Sequence, residues 1–169
     1  VVAFATSKGV KSVALQADLD DPSAVQSLWE SARSALGRRI DWLVNNASIF
    51  DSIDGYEATW DDWERNQRIN LGAPFLLTQA LARDARDRDA EGSVVNLLDY
   101  RATRPGDDHF PYTISKVGLW GHTISAAQAY APKVRVNGVA LGNILPPADG
   151  SESKPPTFKR TPAKRRGSV

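Results

Sequence analysis

Apolar runs rich in Val and Leu alternate along this chain with segments whose apolar residues recur at helical spacing. That alternation limits the fold more than any other feature. Val1–Thr6, Ser12–Asp18, Asp41–Ala47, Ser93–Leu98 and Val134–Leu141 read as strands. A helix opens at Asp21-Pro22-Ser23, carries Val25, Leu28, Trp29, Ala32 and Leu36 on one face, and closes at Gly37. Thr59 begins a second, long helical region with Trp60, Trp63, Ile69, Leu71, Phe75, Leu76 and Leu81, ending by Gly92; Tyr112–Tyr130 forms a third helix, stopped before Pro132. Continuous apolar strands separated by helices imply a parallel sheet covered on both faces. Only Ser7–Lys11 lies between the first two strands, whereas a parallel crossover takes about a dozen residues. Either the two strands form a tight hairpin or a helix is missing at that point, and we expect the missing helix.

At 169 residues the chain is a single domain with a real core. It has no cysteine, which excludes a disulfide framework, a thiolate nucleophile and a cysteine metal site. Residues 151–169 carry six Lys/Arg against one Glu, while the remainder carries 15 against 19. A basic tail on an acidic body argues against nucleic acid as a partner. No apolar run reaches the length of a membrane span, so no membrane partner is expected and the expected location is cytoplasmic. The chain has no methionine and begins Val-Val-Ala-Phe, from which we expect further residues outside this sequence. The Pro-rich segment Pro146–Pro162 reads as a flexible substrate loop.

The chemistry concentrates between Asp99 and Lys116. Tyr112 and Lys116, four residues apart on a helix, leave the same face. An ammonium beside a phenol favours the phenolate, so the Tyr112 value should fall from about 10 toward working pH. Asp99 ends the run Ser-Val-Val-Asn-Leu-Leu-Asp, at a strand's carboxyl end, where open α/β sheets put their chemistry. Asn45-Asn46-Ala47-Ser48 ends another buried strand, and two amides there need partners. They fit either turn-forming asparagines or a backbone held open against a flat cofactor. Asn70 lies in an apolar helix with Pro74 four residues on, so its carbonyl lacks the usual helical donor and a local kink is expected. Asp18, after a strand, suits either an adenine amino group or a helix cap. Gly142, after the last strand, permits close backbone approach. His109 and His122 have no metal-ligand spacing and read as structural or solvent-facing; no metal is expected.

Taken in order, Asp18, Asn45-Asn46-Ala47, Asn70, Asp99 and Tyr112-x-x-x-Lys116 resemble the short-chain dehydrogenase/reductase family over essentially the whole chain. The resemblance implies a doubly wound, Rossmann-type α/β fold, with a catalytic tetrad falling on Asn70, Asp99, Tyr112 and Lys116. It implies cofactor contacts from Asp18, Leu19, Asn45, Ala47, Ser48, Tyr112, Lys116, Gly142 and Ile144. Asp99 where most members have serine, and Asn-Asn-Ala-Ser-x-Phe, are similar to the pteridine reductases and related dihydrofolate or dihydromonapterin reductases. That branch implies substrate contacts from Ser48, Phe50, Asp99 and Tyr112, with Phe50 stacking on a pterin. The family's glycine-rich phosphate loop, first strand, following helix and last part have no counterpart here, and Leu141 replaces the usual proline before Gly142.

The function expected from this resemblance is NADPH-dependent hydride transfer to a pterin-type C=N, with a Tyr–Lys proton donor. Thr6, Ser7 and Lys8, with no acidic residue after the first strand, suit a 2′-phosphate, so NADH is less expected. Lys116 would hold the nicotinamide ribose, and Asn70 would relay protons through water. The alternatives are a short-chain carbonyl or alcohol dehydrogenase, and a non-catalytic nucleotide-sensing scaffold. A homotetramer or homodimer is expected from the resemblance.

Overall fold

The computed structural model describes residues 1–142. Strands β1 (Trp42–Asn45), β2 (Gly92–Asp99) and β3 (Val134–Leu141) form a parallel sheet in the order β1-β2-β3. Asn45 lies beside Asn96, which lies beside Gly138, and Asp99 lies beside Leu141. All three strands therefore end at the same edge, where loops can converge.

Helix α2 (Pro22–Leu36) begins as its sequence predicts: the Asp21 carboxylate accepts the Ser23 N–H at 2.8 Å, and Pro22 costs no hydrogen bond in the first turn. Gly37 ends it at φ 66°, a conformation that glycine adopts without a Cβ clash. Thr59 and Asp62 cap helix α3 (Trp60–Gln67) reciprocally. The backbone then widens into one π-helical stretch, Arg68–Gly72, before α4 (Ala73–Asp87). Pro74 has no N–H for the Asn70 carbonyl, and the Ala73 N–H reaches back five residues to Arg68. The expected kink is this stretch. Helix α5 (Phe110–Tyr130) carries Pro111 in its first turn.

Helices α4 and α5 pack on one face of the sheet, where Leu81, Val94, Ala126, Val134 and Val136 form the core with Trp29 of α2. An amide ladder crosses that face: Asn45 Nδ2 donates to Asn96 Oδ1 at 2.8 Å, and Asn96 Nδ2 to Thr123 Oγ1 at 2.9 Å. These buried polar groups satisfy one another and fix the strand register.

Three expectations change. Val1–Thr6 is not a strand: Val2–Ser7 is helix α1, which has no buried residue. Ser12–Asp18 runs without strand pairing. A short apolar run satisfies its backbone within a helix when no strand edge pairs with it. Among the described residues, helices cover only one face of the sheet. On the other, Trp42, Val44, Val139 and Leu141 are exposed. The loop expected at 146–162 lies outside the described residues.

Candidate active site

The edge where the strands end carries the site. Asp99 closes β2, and its Oδ1 accepts the Arg101 N–H at 2.8 Å, turning the chain into the short helical turn Tyr100–Ala102. Asp99 Oδ2 accepts the Tyr112 hydroxyl at 2.9 Å. One helical turn beyond, Lys116 is 4% exposed and donates from Nζ to the Leu97 carbonyl at 2.9 Å. The Lys116 ammonium lies 5.6 Å from the Tyr112 ring centroid. Phe50 meets Tyr112 edge to face at 4.6 Å. Asp99, Tyr112, Lys116 and Phe50 thus form one cluster, although 66 residues separate the outermost two in sequence.

Electrostatics in this cluster run opposite to the sequence-based expectation. The Tyr112 hydroxyl is pushed far above the ordinary tyrosine value, first by burial, then by the Asp99 charge and the hydrogen bond to it. The Lys116 ammonium donates to Leu97 and lies 5.6 Å from the Tyr112 ring centroid, whereas the Asp99 carboxylate touches the phenol directly. Burial lowers the Lys116 value, and Asp99 opposes that shift. The phenol is therefore held protonated.

Asn70, 1% exposed in the π-helical stretch, works as a clamp. Its Oδ1 accepts from Ser48 Oγ at 3.0 Å and from the Ile49 N–H at 2.9 Å. Its Nδ2 reaches the Ile49 carbonyl (3.2 Å), Asn66 Oδ1 (3.3 Å) and Ser115 Oγ (3.0 Å). Ser115 donates to the Tyr112 carbonyl at 2.6 Å. The Asn70 amide thus joins the loop after β1 to the helix bearing Tyr112. Both ends of the amide are thus occupied by protein partners.

The other expected residues divide. Ala47 and Ser48 are exposed beyond the end of β1, next to the cluster's loop. Asn45 is buried, and its side chain serves the amide ladder and Thr78, leaving the backbone for any cofactor contact at that position. Gly142 follows β3, and among the described residues nothing lies within 4 Å of where a Cβ would stand. Asp18 is exposed, and its Oδ1 caps the Asp20 N–H at 2.9 Å. Leu19 lines an apolar groove with Pro22, Val25 and Phe75. Asp18 and Leu19 sit in the turn before α2, which Arg68 ties to α3 through Asp20 at 2.6 Å and Glu64 at 3.0 Å. Thr6, Ser7 and Lys8 end α1 rather than follow a strand, so their suitability for a 2′-phosphate loses its structural basis. Ile144 lies outside the described residues.

Sequence reasoning missed Ser115, Arg101 and His109. Arg101 forms a two-armed ion pair with Asp108. His109 stacks on Phe50 at 3.8 Å. Phe50 and His109 are 59 positions apart, so no local pattern announced their contact.

A parallel sheet with its candidate site at the carboxyl edge is the arrangement of nucleotide-binding α/β proteins. The short chain dehydrogenase family model matches residues 1–156, and the chain belongs to that family. The chain is 31% identical over 168 residues to the uncharacterised oxidoreductase YohF of Escherichia coli (strain K12), covering 96% of this chain and 66% of that one. It is 28% identical to glucose 1-dehydrogenase 2 of Bacillus subtilis (strain 168), covering 94% and 64%. The crystal structure of FolM alternative dihydrofolate reductase 1 from Brucella canis, complexed with NADP, superposes with a TM-score of 0.86 at 32% identity, covering 99% of this chain and 65% of that one. The chain spans between 49% and 66% of the length of such curated relatives. Among the described residues, no helix is long and apolar enough to cross a membrane.

The residues present fit the nicotinamide–ribose end of a dinucleotide. Lys116 is a buried ammonium with three donors. Among the described residues it donates to one acceptor, which leaves two donors for ribose hydroxyls. Asn46, Ala47 and Ser48, after β1, are exposed, and Gly142 follows β3 at the same edge of the sheet.

Proposed function

We propose that the protein is an NADPH-dependent reductase that delivers hydride to a pterin-type C=N bond, with Tyr112 as proton donor. The observation that carries this reading is the Tyr112 hydroxyl, held protonated against Asp99 at 2.9 Å beside the Phe50 ring. Reduction of C=N needs a proton at nitrogen. A phenol kept protonated suits that direction better than oxidation, which would need the phenolate as base. The cofactor, when bound, supplies the hydride.

Lys116 would hold the ribose and stabilise the tyrosinate left after proton transfer. Its buried ammonium lies 5.6 Å from the Tyr112 ring centroid. Tyr112 would turn its proton from Asp99 to the substrate nitrogen. Asp99 would then accept an N–H of the same flat ring, fixing its orientation. Phe50 would face that ring, and Ser48, held by Asn70, would border it. Asp18, Leu19, Ala47, Gly142 and the Asn45 backbone are proposed cofactor contacts. NADPH rather than NADH is supported by the NADP complex of the Brucella FolM protein. Assembly as a homotetramer or homodimer is supported by exposed apolar residues on the long helices, Phe75 of α4 with Trp120 and Ile124 of α5.

A carbonyl dehydrogenase is the second reading, favoured by the likeness to glucose 1-dehydrogenase 2. A substrate panel with NADPH separates the two. Turnover of dihydrobiopterin or dihydrofolate without turnover of ketones supports the proposal. Turnover of ketones or sugars alone removes the pterin. No turnover of any substrate by a folded, NADPH-binding protein leaves a nucleotide sensor.

A further inference from the structure

His109 sits between the two loops that border the site, one after β1 and one after β2. Its backbone is left-handed at φ 49°, a region that His and Asn enter more readily than most residues. Its Nδ1 lies 2.9 Å from the Asp51 carbonyl. A carbonyl only accepts, so Nδ1 carries the hydrogen. The imidazole lies parallel to Phe50, with centroids 3.8 Å apart and planes at 13°. The next residue, Phe110, donates its N–H to the Ile53 carbonyl at 2.7 Å. The preceding residue, Asp108, is gripped by Arg101, whose guanidinium lies 6.0 Å from the Phe50 centroid. Phe50 is thus held from one side by His109 and meets Tyr112 on another, yet remains 54% exposed. A free phenylalanine on a loop would swing. This one is braced.

We propose that His109 is a positioning residue that sets substrate specificity: by stacking on Phe50, it fixes a rigid ring wall beside Tyr112 that admits flat heteroaromatic substrates and disfavours flexible aliphatic carbonyl compounds. The substrate class rests on the pterin reading above. The brace itself rests only on the geometry of His109, Phe50 and Asp51.

Two variants of the full chain separate the ring from the backbone. His109→Phe keeps a stacking ring but loses the Nδ1–H donor and tolerates the left-handed backbone poorly. His109→Asn keeps the backbone preference and loses the stack. The measurements are kcat and KM for dihydrobiopterin and for an aliphatic ketone, NADPH affinity by fluorescence, and the melting temperature. A stacked pair of this kind is worth about tenfold in binding. We expect His109→Asn to raise the dihydrobiopterin KM about tenfold with kcat little changed, and to narrow the preference over the ketone. His109→Phe should keep KM within about threefold of wild type, even where the melting temperature falls. NADPH affinity should be unchanged in both. The proposal is overturned if His109→Asn matches wild type in KM and preference, or if His109→Phe shows the larger KM change. If wild type reduces only carbonyl compounds, the pterin reading has failed. The brace is then read from the preference for aromatic over aliphatic carbonyls, and an equal preference in wild type and His109→Asn overturns it.

Discussion

Asn70→Asp removes half of the clamp without changing its shape. The remaining carboxylate oxygen at Oδ1 still accepts from Ser48 Oγ and the Ile49 N–H. The new oxygen at the Nδ2 position faces the Ile49 carbonyl and Asn66 Oδ1, at 3.2 Å and 3.3 Å, both acceptors. Ser115 could turn its hydroxyl toward it only by leaving the Tyr112 carbonyl at 2.6 Å. Each buried group left without a partner costs about 1–3 kcal/mol. With the charge itself buried, the expected loss at pH 7 is about 3–5 kcal/mol. A domain of this size has about 5–15 kcal/mol in total, so the loss is large. The pH sign follows from burial, which raises the folded-state value of the introduced carboxyl above about 3.9. Stability is then retained below the unfolded value, where both states are protonated, and is lost as pH rises through the folded value. Urea unfolding followed by far-ultraviolet circular dichroism at pH 4.5 and pH 7 measures both effects. A variant within about 1 kcal/mol of wild type at pH 7 would refute the clamp.

The protonated Tyr112 has its own signature. Because its folded value stands above the unfolded ~10, its contribution to stability is intact below pH 10 and lost above it, at up to about 1.4 kcal/mol per pH unit. Tyr112→Phe should flatten that slope in alkaline urea titrations, and the wild-type-minus-variant ultraviolet spectrum should show no tyrosinate at pH 11; a full tyrosinate signal there contradicts the assignment. Asn96→Ala strands the Asn45 amide and the Thr123 hydroxyl and opens a small cavity at a site with no exposure. The expected cost is about 2–4 kcal/mol with KM for NADPH unchanged, and a variant below about 1 kcal/mol would deny the ladder its role in the register.

The sequence carried the three strands and the helices α2 to α5 because each has a strong local cause. Capping at Asp21 and Thr59, the Gly37 stop and continuous apolar runs all act within a few residues. Val1–Thr6 misled because a short apolar run fits a strand or a helix equally, and pairing decides between them. At the site, Asp99, Tyr112 and Lys116 could be placed together from helix spacing and a strand end. The Tyr112 shift could not be read that way. It depends on burial and on a carboxylate 13 positions away in sequence, and these outweigh the nearby lysine. The oddness of Asn45 and Asn70 was legible as amides in apolar surroundings, but apart from Asn66 their partners lie 21 to 51 residues distant. His109 reads in sequence as structural or solvent-facing, because its contacts to Asp51 and Phe50 cross between two loops that only the parallel sheet brings together.

Proton donation by Tyr112 to a pterin is tested most directly by following NADPH oxidation with dihydrobiopterin in wild type and in Tyr112→Phe, with NADPH affinity measured alongside. The account predicts turnover in wild type and a loss of about 10²-fold or more in kcat for the variant, with NADPH still bound. Equal kcat in the two proteins would contradict it.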